Sequence, residues 1–474
     1  MPRSPTTPAP DGDPFDFLRA KPRATLPVNP TVAAVPTASH PQLHPANARW
    51  LATGAVAYRR MLALIDAAHT SIRCETYIWG DDRVGTRFRA ALIRAAARGV
   101  RVQVLVDGAG SSALPADYWR ALHAAGGTAR VFNPLTFRHF SIRDHRKLLL
   151  IDDHTAITGG FNIAVDYDGD GITAGWRDLG IELNHAPALR QLAHSFDAMF
   201  TAHTLHPWLL RSLPRRKNGS PRHPPAAGPV LFSGPHLVRN EFSRQLLKLL
   251  KHARHVRIAS AYFAPSFRLR RALRAVARRG GTVELLLAGQ TDVPLAQLAA
   301  RSLYGPLLKA GVRIWEYQPQ ILHAKLVLVD HSVFVGSANL DARSLAINYE
   351  LTVHLSDPTL AAEAAVAFAA DLKQSRVITY PEWEKTRTWL TRLRGAWARF
   401  LMTKVDPWLA RRQMRGLSSR PPPPPPINAR ASSAPSAPST LPGSARSPRL
   451  PAPTRVPSTR SRRAPAARSG PPRS

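Results

Sequence analysis

The chain of 474 residues predicts an α/β protein made of two similar halves, each a sheet covered by helices on both faces. Apolar strand-like runs alternate with helix-period segments at α/β spacing, and the whole alternation then occurs a second time. With 44% hydrophobic residues the chain can bury a sizeable core, and its length allows two or three domains.

Residues 1–42 are Pro-rich and read as a disordered N-terminus, with Phe15, Phe17 and Leu18 a weak anchor. The first domain is expected over 43–210. Helical periodicity is read from about Asn47, through Leu51, Val56, Met61, Leu62, Ile65 and Ala68. Ile72–Trp79 is strand-like, Arg87–Ala97 helical, Val100–Asp107 a near-continuous apolar strand, Tyr118–Ala125 helical and Thr128–Phe132 a strand. Residues 211–228 are basic and rich in Pro and Gly, which marks a linker or surface loop. The second domain, 229–381, repeats the series: Leu237–Lys251 helical, Val256–Tyr262 a strand, Leu269–Arg279 helical and Thr282–Leu287 a strand. A helix over Leu298–Ala310, with a kink at Gly305-Pro306, and a strand over Val312–Tyr317 follow. Residues 382–415 read as a basic amphipathic helical segment that Pro407 ends or kinks. Residues 416–474, with ten Arg, no acid and the run Pro421–Pro426, read as a disordered tail with a polyproline II stretch.

The 65 Lys and Arg outnumber 31 Asp and Glu, a net charge of +34, which points to a polyanionic partner, nucleic acid or an anionic membrane face. Cys74 is the single cysteine, so intrachain disulfides and Cys-rich zinc sites are excluded. Acidic residues and prolines interrupt any N-terminal apolar run, so no signal peptide is expected. No stretch reaches the ~18 apolar residues of a transmembrane helix.

The chemistry lies in a repeated constellation. The first copy, RDHRKLLLIDDHTAITGGFN, holds His145, Lys147 and Asp152, then Gly159, Gly160 and Asn162. The second, LHAKLVLVDHSVFVGSANLDARS, holds His323, Lys325 and Asp330, then Gly336, Ser337 and Asn339. Both fit H-x-K-x4-D followed by G-[GS]-x-N, and each is expected on an apolar strand. On a strand, His and Lys two apart share a face. The lysine can hold a phosphate oxygen beside the imidazole, while the small turn admits backbone and the Asn amide to the same oxyanion. Two such copies brought together surround one phosphorus with two histidines, one to attack and one to protonate the leaving oxygen. The lysines supply the positive charge, so neither a metal nor a cofactor is expected. Asp178 and Glu350 fall at matching places behind the two motifs and are expected to orient the histidines. Asp152, Asp330 and the motif's Gly and Ser residues are expected to be structural.

These residues resemble the phospholipase D superfamily, whose signature is a doubled HKD motif. Within it, the chain is similar to bacterial cardiolipin synthases of a short subtype without transmembrane helices. That narrower likeness rests on Glu75–Trp79, Gly85, Arg98–Val100, Val106–Ser111, Asp144–Lys147, Trp176–Asp178, and Gly336–Ser344 with Asn348 and Glu350, and covers roughly 47–400. It implies two fused, duplicated phospholipase D-like α/β/α sandwich domains with one active site at their interface, in which a monomer suffices. It also implies ping-pong phosphatidyl transfer through a phosphohistidine, with phosphatidylglycerol as donor and acceptor or phosphatidylethanolamine as donor. His145 is assigned as nucleophile and His323 as general acid and base; the near symmetry leaves exchange of these roles open. Hydrolysis to phosphatidic acid, metal-independent nuclease action and a catalytically dead polyanion scaffold are the competing readings. No nucleic-acid partner is expected.

Without a membrane span, lipid contact must come from elsewhere, at the cytoplasmic side of a bacterial inner membrane. On a helical wheel Trp389, Leu390, Leu393, Trp397, Phe400 and Leu401 share one arc, flanked by Lys385, Arg392 and Arg399 on one side and Arg387 and Arg394 on the other. Tryptophans with flanking cations suit an anionic headgroup boundary. The alternative is that the stripe packs on the catalytic core.

Overall fold

The computed structural model describes residues 47–134, 141–202, 229–235 and 240–418. The expected disordered N-terminus and the linker lie outside these residues, as does the expected tail beyond Ser418, where the last helix ends.

Seven strands form the first sheet: β1 (Ala48–Leu51), β2 (Ser71–Thr76), β3 (Arg101–Asp107), β4 (Thr128–Phe132), β5 (Leu148–Ile151), β6 (Thr155–Gly159) and β7 (Gly180–Leu183). Eight form the second: β8 (Val230–Ser233), β9 (His255–Ser260), β10 (Thr282–Ala288), β11 (Arg313–Tyr317), β12 (Lys325–Val329), β13 (Ser332–Gly336), β14 (Glu350–Ser356) and β15 (Ser375–Ile378). The orders are β1-β7-β6-β5-β2-β3-β4 and β8-β14-β13-β12-β9-β10-β11-β15, so the sheets match strand for strand until β15. In each, three parallel strands (β2-β3-β4, β9-β10-β11) join an antiparallel set at the motif strand, β5 or β12.

The motif strands are apolar on both faces because both faces are covered. Leu149 and Ile151 of β5 enter the core of the first half, while Leu148 and Leu150 enter a second core. That second core also takes Leu326 and Leu328 of β12, whereas Val327 and Val329 face a third. Strand alternation thus welds the two sheets through one shared core.

Two expectations are corrected, and of the two alternatives for Pro407, ending or kinking the segment, the first is excluded. Residues 48–51 form β1 rather than the start of a helix, because Ala48–Leu51 pairs antiparallel with β7; the helix begins at Gly54, capped by Thr53. The expected helix Leu298–Ala310 is two helices, Pro294–Arg301 and Tyr304–Leu308. Pro306 lies in the first turn of the second, where its missing N–H costs no helical bond. Pro407 does not end the C-terminal segment. Helix Trp389–Phe400 passes into a π turn, Leu401–Val405, and continues as Asp406–Ser418. There too the proline sits in a first turn, and the wider π turn takes up the break in hydrogen bonding.

Candidate active site

The two motif histidines do not lie within their strands. Each sits just before one, in a segment bridged by backbone to the other half of the chain. His145 N–H donates to Tyr349 O at 3.0 Å, and Tyr349 N–H to Arg143 O at 2.9 Å. The second copy repeats the arrangement: His323 N–H donates to Arg177 O, and Arg177 N–H to Ile321 O, both at 2.8 Å. Buried side chains brace these segments. Asp107 accepts from the Asp144 N–H at 2.8 Å, Arg146 forms a bidentate pair with Glu75 at 3.0 and 2.6 Å, and Arg177 pairs with Asp371 at 2.7 Å.

The bridges set each histidine against the carboxylate of the opposite half. His145 Nδ1 lies 3.1 Å from Glu350 Oε2, and His323 Nδ1 lies 2.6 Å from Asp178 Oδ2. Both rings line one cavity of about 560 Å³. Tyr77 lies against His145 at 5.0 Å between ring centres, and Tyr167 and Trp176 against His323 at 5.1 and 5.5 Å.

The remaining motif residues divide unevenly. Lys147 and Lys325 are buried, and each donates to the carbonyl of its own motif histidine. An ammonium has three donors, so each keeps capacity for a phosphate oxygen. Asn162 also lines the cavity, but its amide is engaged: Oδ1 accepts from Ile78 N–H at 3.0 Å and Nδ2 donates to the Tyr167 hydroxyl at 2.6 Å. Its counterpart Asn339 lines the cavity with Oδ1 unpartnered among the described residues.

Gly159 is covered by the backbone of Gly180, and a Cβ on Gly336 would lie 2.2 Å from Leu351 O. Gly160 has a more local reason: a Cβ there would lie 2.2 Å from Asp178 Oδ1. At the matching place Ser337 donates to Glu350 Oε2. Asp152 and Asp330 stand at the far ends of the hairpins. They adopt left-handed backbone, φ 51° and 52°, and accept from the amides of His69, Thr70 and Ser71, and of Arg254 and His255, respectively.

Burial in a basic pocket fixes the charge states. It drives His145 well below the ordinary imidazole value, with Lys147 and Lys325 adding to the effect. Burial and then Lys325 bring His323 down to about 4, against the raising pull of Asp178. Burial lowers Lys147 to about 7 and Lys325 to about 8. It raises Glu350 to about 7, against the pull of Lys147.

Sequence reasoning gave no role to several cavity residues. Tyr77, Trp176 and Arg343 stand within stretches already read as motif context. Met402 and Val405, which wall the cavity from the π turn, carried no local signal, and Leu401, expected on the exposed arc, is placed by the same turn in the cavity wall instead.

A family model described as cardiolipin synthase, PLD-like domain, matches residues 61–200 and 246–372. The chain belongs to the cardiolipin synthase family of phospholipase D-like proteins. It carries the domain twice, and it is an enzyme of the phospholipase D superfamily. Cardiolipin synthase B of Escherichia coli strain K12 is 34% identical over 351 residues, 72% of this chain and 83% of that one. The major cardiolipin synthase ClsA of Bacillus subtilis strain 168 is 32% identical over 347 residues, 70% of each chain. The crystal structure of a phosphatidylserine synthase from Haemophilus influenzae Rd KW20 superposes with a TM-score of 0.59 at 17% identity, over 78% of this chain and 96% of that one. At that identity the likeness is one of fold. Among the described residues no helix is long and apolar enough to cross a membrane.

Proposed function

We propose that the chain makes cardiolipin by transferring a phosphatidyl group from one phosphatidylglycerol to another, through a phosphohistidine on His145. The observation that carries this reading is the crossed pairing. Each imidazole has Nδ1 held by a carboxylate from the opposite half, which leaves Nε2 of both rings for substrate in one cavity.

His145 Nε2 attacks phosphorus and the bond from phosphorus to the headgroup glycerol oxygen breaks. His323 gives that oxygen its proton, and glycerol leaves. The hydroxyl of the second phosphatidylglycerol then attacks phosphorus, passes its proton to His323, and the P–N bond breaks to release cardiolipin. Burial, with Lys325 beside it, holds His323 neutral at pH 7; the negative charge of a bound phosphodiester raises its pKa and makes it a donor. Lys147, Lys325 and Asn339 are the phosphate-binding groups, Asp178 and Glu350 orient the rings, and Asn162, Asp152, Asp330, Gly159, Gly160, Gly336 and Ser337 shape the site. Tyr77, Tyr167 and Trp176 crowd the rings and limit water, which favours transfer over hydrolysis.

On this reading the enzyme works peripherally at the cytoplasmic face of a bacterial inner membrane, and a monomer suffices because one chain supplies both histidines. The test is incubation of the purified chain with phosphatidylglycerol vesicles, with lipids read by mass spectrometry. Cardiolipin and free glycerol are expected; neither His145→Ala nor His323→Ala is expected to make cardiolipin or to release glycerol beyond the one molecule per enzyme that accompanies a trapped phosphoenzyme. Quenching in neutral denaturant, which spares the acid-labile P–N bond, is expected to trap phosphoenzyme in His323→Ala and not in His145→Ala; the reverse exchanges their roles. Phosphatidic acid as the main product makes the enzyme a hydrolase. Metal-free cleavage of single-stranded DNA with no lipid product makes it a nuclease. Release of ethanolamine from mixed vesicles identifies phosphatidylethanolamine as a donor.

A further inference from the structure

We propose that helix Trp389–Phe400, with the adjoining edge of helix Pro294–Arg301, is a docking face for an anionic phospholipid bilayer that sets the mouth of the catalytic cavity at headgroup level. The inference rests on the lipid-transfer reading above and deepens it.

The helix buries its small face and exposes its large one. Gly395 and Ala398 are its buried residues, and a Cβ on Gly395 would come 3.0 Å from Ser302 Cβ and 3.5 Å from Leu298 O. Close packing on Pro294–Arg301 therefore selects glycine on the inner side. The opposite side leaves Trp389 76%, Leu393 53%, Trp397 56% and Phe400 50% exposed, with Leu390 at 38%. Trp408, in the next helix, is 50% exposed, and on the neighbouring helix Leu295 and Leu298 are each 39% exposed. Single exposed apolar residues are ordinary, but a contiguous stripe with paired aromatic rings needs a partner. Trp397 and Phe400 already meet edge to face at 5.8 Å.

The charge beside the stripe selects that partner. Arg392, Arg394 and Arg399 lie on the same helix. Tryptophan between arginines fits the boundary of an anionic bilayer, where the ring occupies the interface and the cation meets phosphate.

The link to catalysis is covalent continuity. Immediately after Phe400 the chain makes the π turn, and Leu401, Met402 and Val405 wall the cavity together with Val293 and Leu295. Asp406 then fixes this segment to the rim through a bidentate pair with Arg343, at 3.0 and 2.6 Å. One stretch thus carries the exposed stripe on its first part and the cavity wall on its second. The cavity, about 560 Å³, is of a size that encloses one drug-sized molecule. It takes phosphate and headgroup, so the acyl chains of two diacyl lipids stay outside. A rim seated in the bilayer leaves them where they already are.

The test uses the full chain and the double variant Leu393→Glu/Trp397→Glu, neither residue belonging to the catalytic machinery. The first measurement is co-sedimentation with vesicles of phosphatidylglycerol and phosphatidylcholine, and with phosphatidylcholine alone. The parent is expected to bind the anionic vesicles preferentially, and the variant at least ~10-fold more weakly, from the loss of two inserted apolar side chains. The second is turnover of short-chain phosphatidylglycerol below its micelle concentration, expected within about twofold of the parent because the docking face is not needed for dissolved substrate. The third, on the unsubstituted chain, is amide hydrogen exchange, expected to slow over 389–408 when anionic vesicles are added. Vesicle binding unchanged in the variant overturns the proposal. So do equal binding to neutral vesicles, equal loss of short-chain turnover, or exchange over 389–408 that ignores lipid. A lipid-free dimer of the parent that the variant dissolves assigns the face to a second copy of the chain instead. The binding and exchange readouts need no turnover, so a chain that made no cardiolipin but passed them would overturn the lipid-transfer reading alone.

Discussion

Glu350 hydrogen-bonds His145 across 205 residues of chain, and Asp178 does the same for His323 across 145. Neither half therefore holds a complete histidine–carboxylate pair of its own. The expected consequence is that Glu350→Gln and Asp178→Asn each lower kcat on the order of 10²–10⁴-fold, because an amide neither fixes the tautomer nor stabilises the imidazolium. Thermal melting is expected to change little, since the amides keep the shape. Turnover of fluorescent phosphatidylglycerol beside a melting curve checks both; a variant that melts early and loses activity in proportion would make these carboxylates structural only.

The charge states of the site set a pH profile. Glu350, raised to about 7, takes up a proton as pH falls through that value, and the negative charge behind His145 is lost. Lys147 and Lys325, lowered to about 7 and about 8, lose their positive charge as pH rises through those values. Activity is thus expected to peak near pH 7, with kcat/KM falling on both sides. Lys147→Arg, whose guanidinium stays protonated, is expected to move the alkaline limb upward toward the value of Lys325, about 8. An alkaline limb that does not move in that variant would remove Lys147 from the phosphate-binding groups.

The two copies differ at one coupled position. Gly160 leaves room for Asp178, whose carboxylate would lie 2.2 and 2.4 Å from a Cβ there, whereas Ser337 donates to the longer Glu350. Gly160→Ser is expected to push Asp178 off His323, lowering kcat about as far as Asp178→Asn and costing roughly 1–3 kcal/mol of stability through overpacking. Gly160→Ser combined with Asp178→Glu rebuilds the pairing of the second copy and is expected to recover part of the activity. Failure of the double variant to exceed the single one would show that the two positions are not coupled in this way.

Much of this was legible because local chemistry and long-range packing agree. The motif strands are apolar on both faces and are buried on both, and the doubled H-x-K and G-[GS]-x-N spacings survive as two matching hairpins. Where they disagree the sequence misleads. Leu51 fits a helical period, yet pairing with β7 makes it strand. The C-terminal stripe was legible as amphipathic, but not which way it faced: Gly395 packs inward and the tryptophans remain exposed. The π turn and the crossing of the carboxylates had no local signal, since both depend on residues far apart in the chain.

The aspartate of each motif offers the contrasting case. Asp152 accepts from three consecutive amides, His69 to Ser71, which hold its carboxyl down to about 2 against the raising effect of burial. A carboxylate with a lowered folded pKa stabilises the protein above its unfolded value, ~3.9, and that contribution disappears as pH falls through the folded value. Asp152 is partly exposed, so the effect is discounted for solvent screening. Asp152→Ala, which leaves those amides without an acceptor at the entry to β2, is expected to cost about 1–2 kcal/mol at pH 7. The difference from the parent should shrink as pH falls from about 4 to 2, because the parent loses the same interaction by protonation. The carboxylate lies at the far end of the hairpin from His145, so kcat per folded molecule is expected to stay within a few-fold of the parent. Denaturant melts at pH 7 and pH 3 measure the first effect, and turnover normalised to the folded fraction measures the second. A loss of turnover as deep as that of Asp178→Asn, with stability intact, would bring this aspartate back into the catalytic machinery.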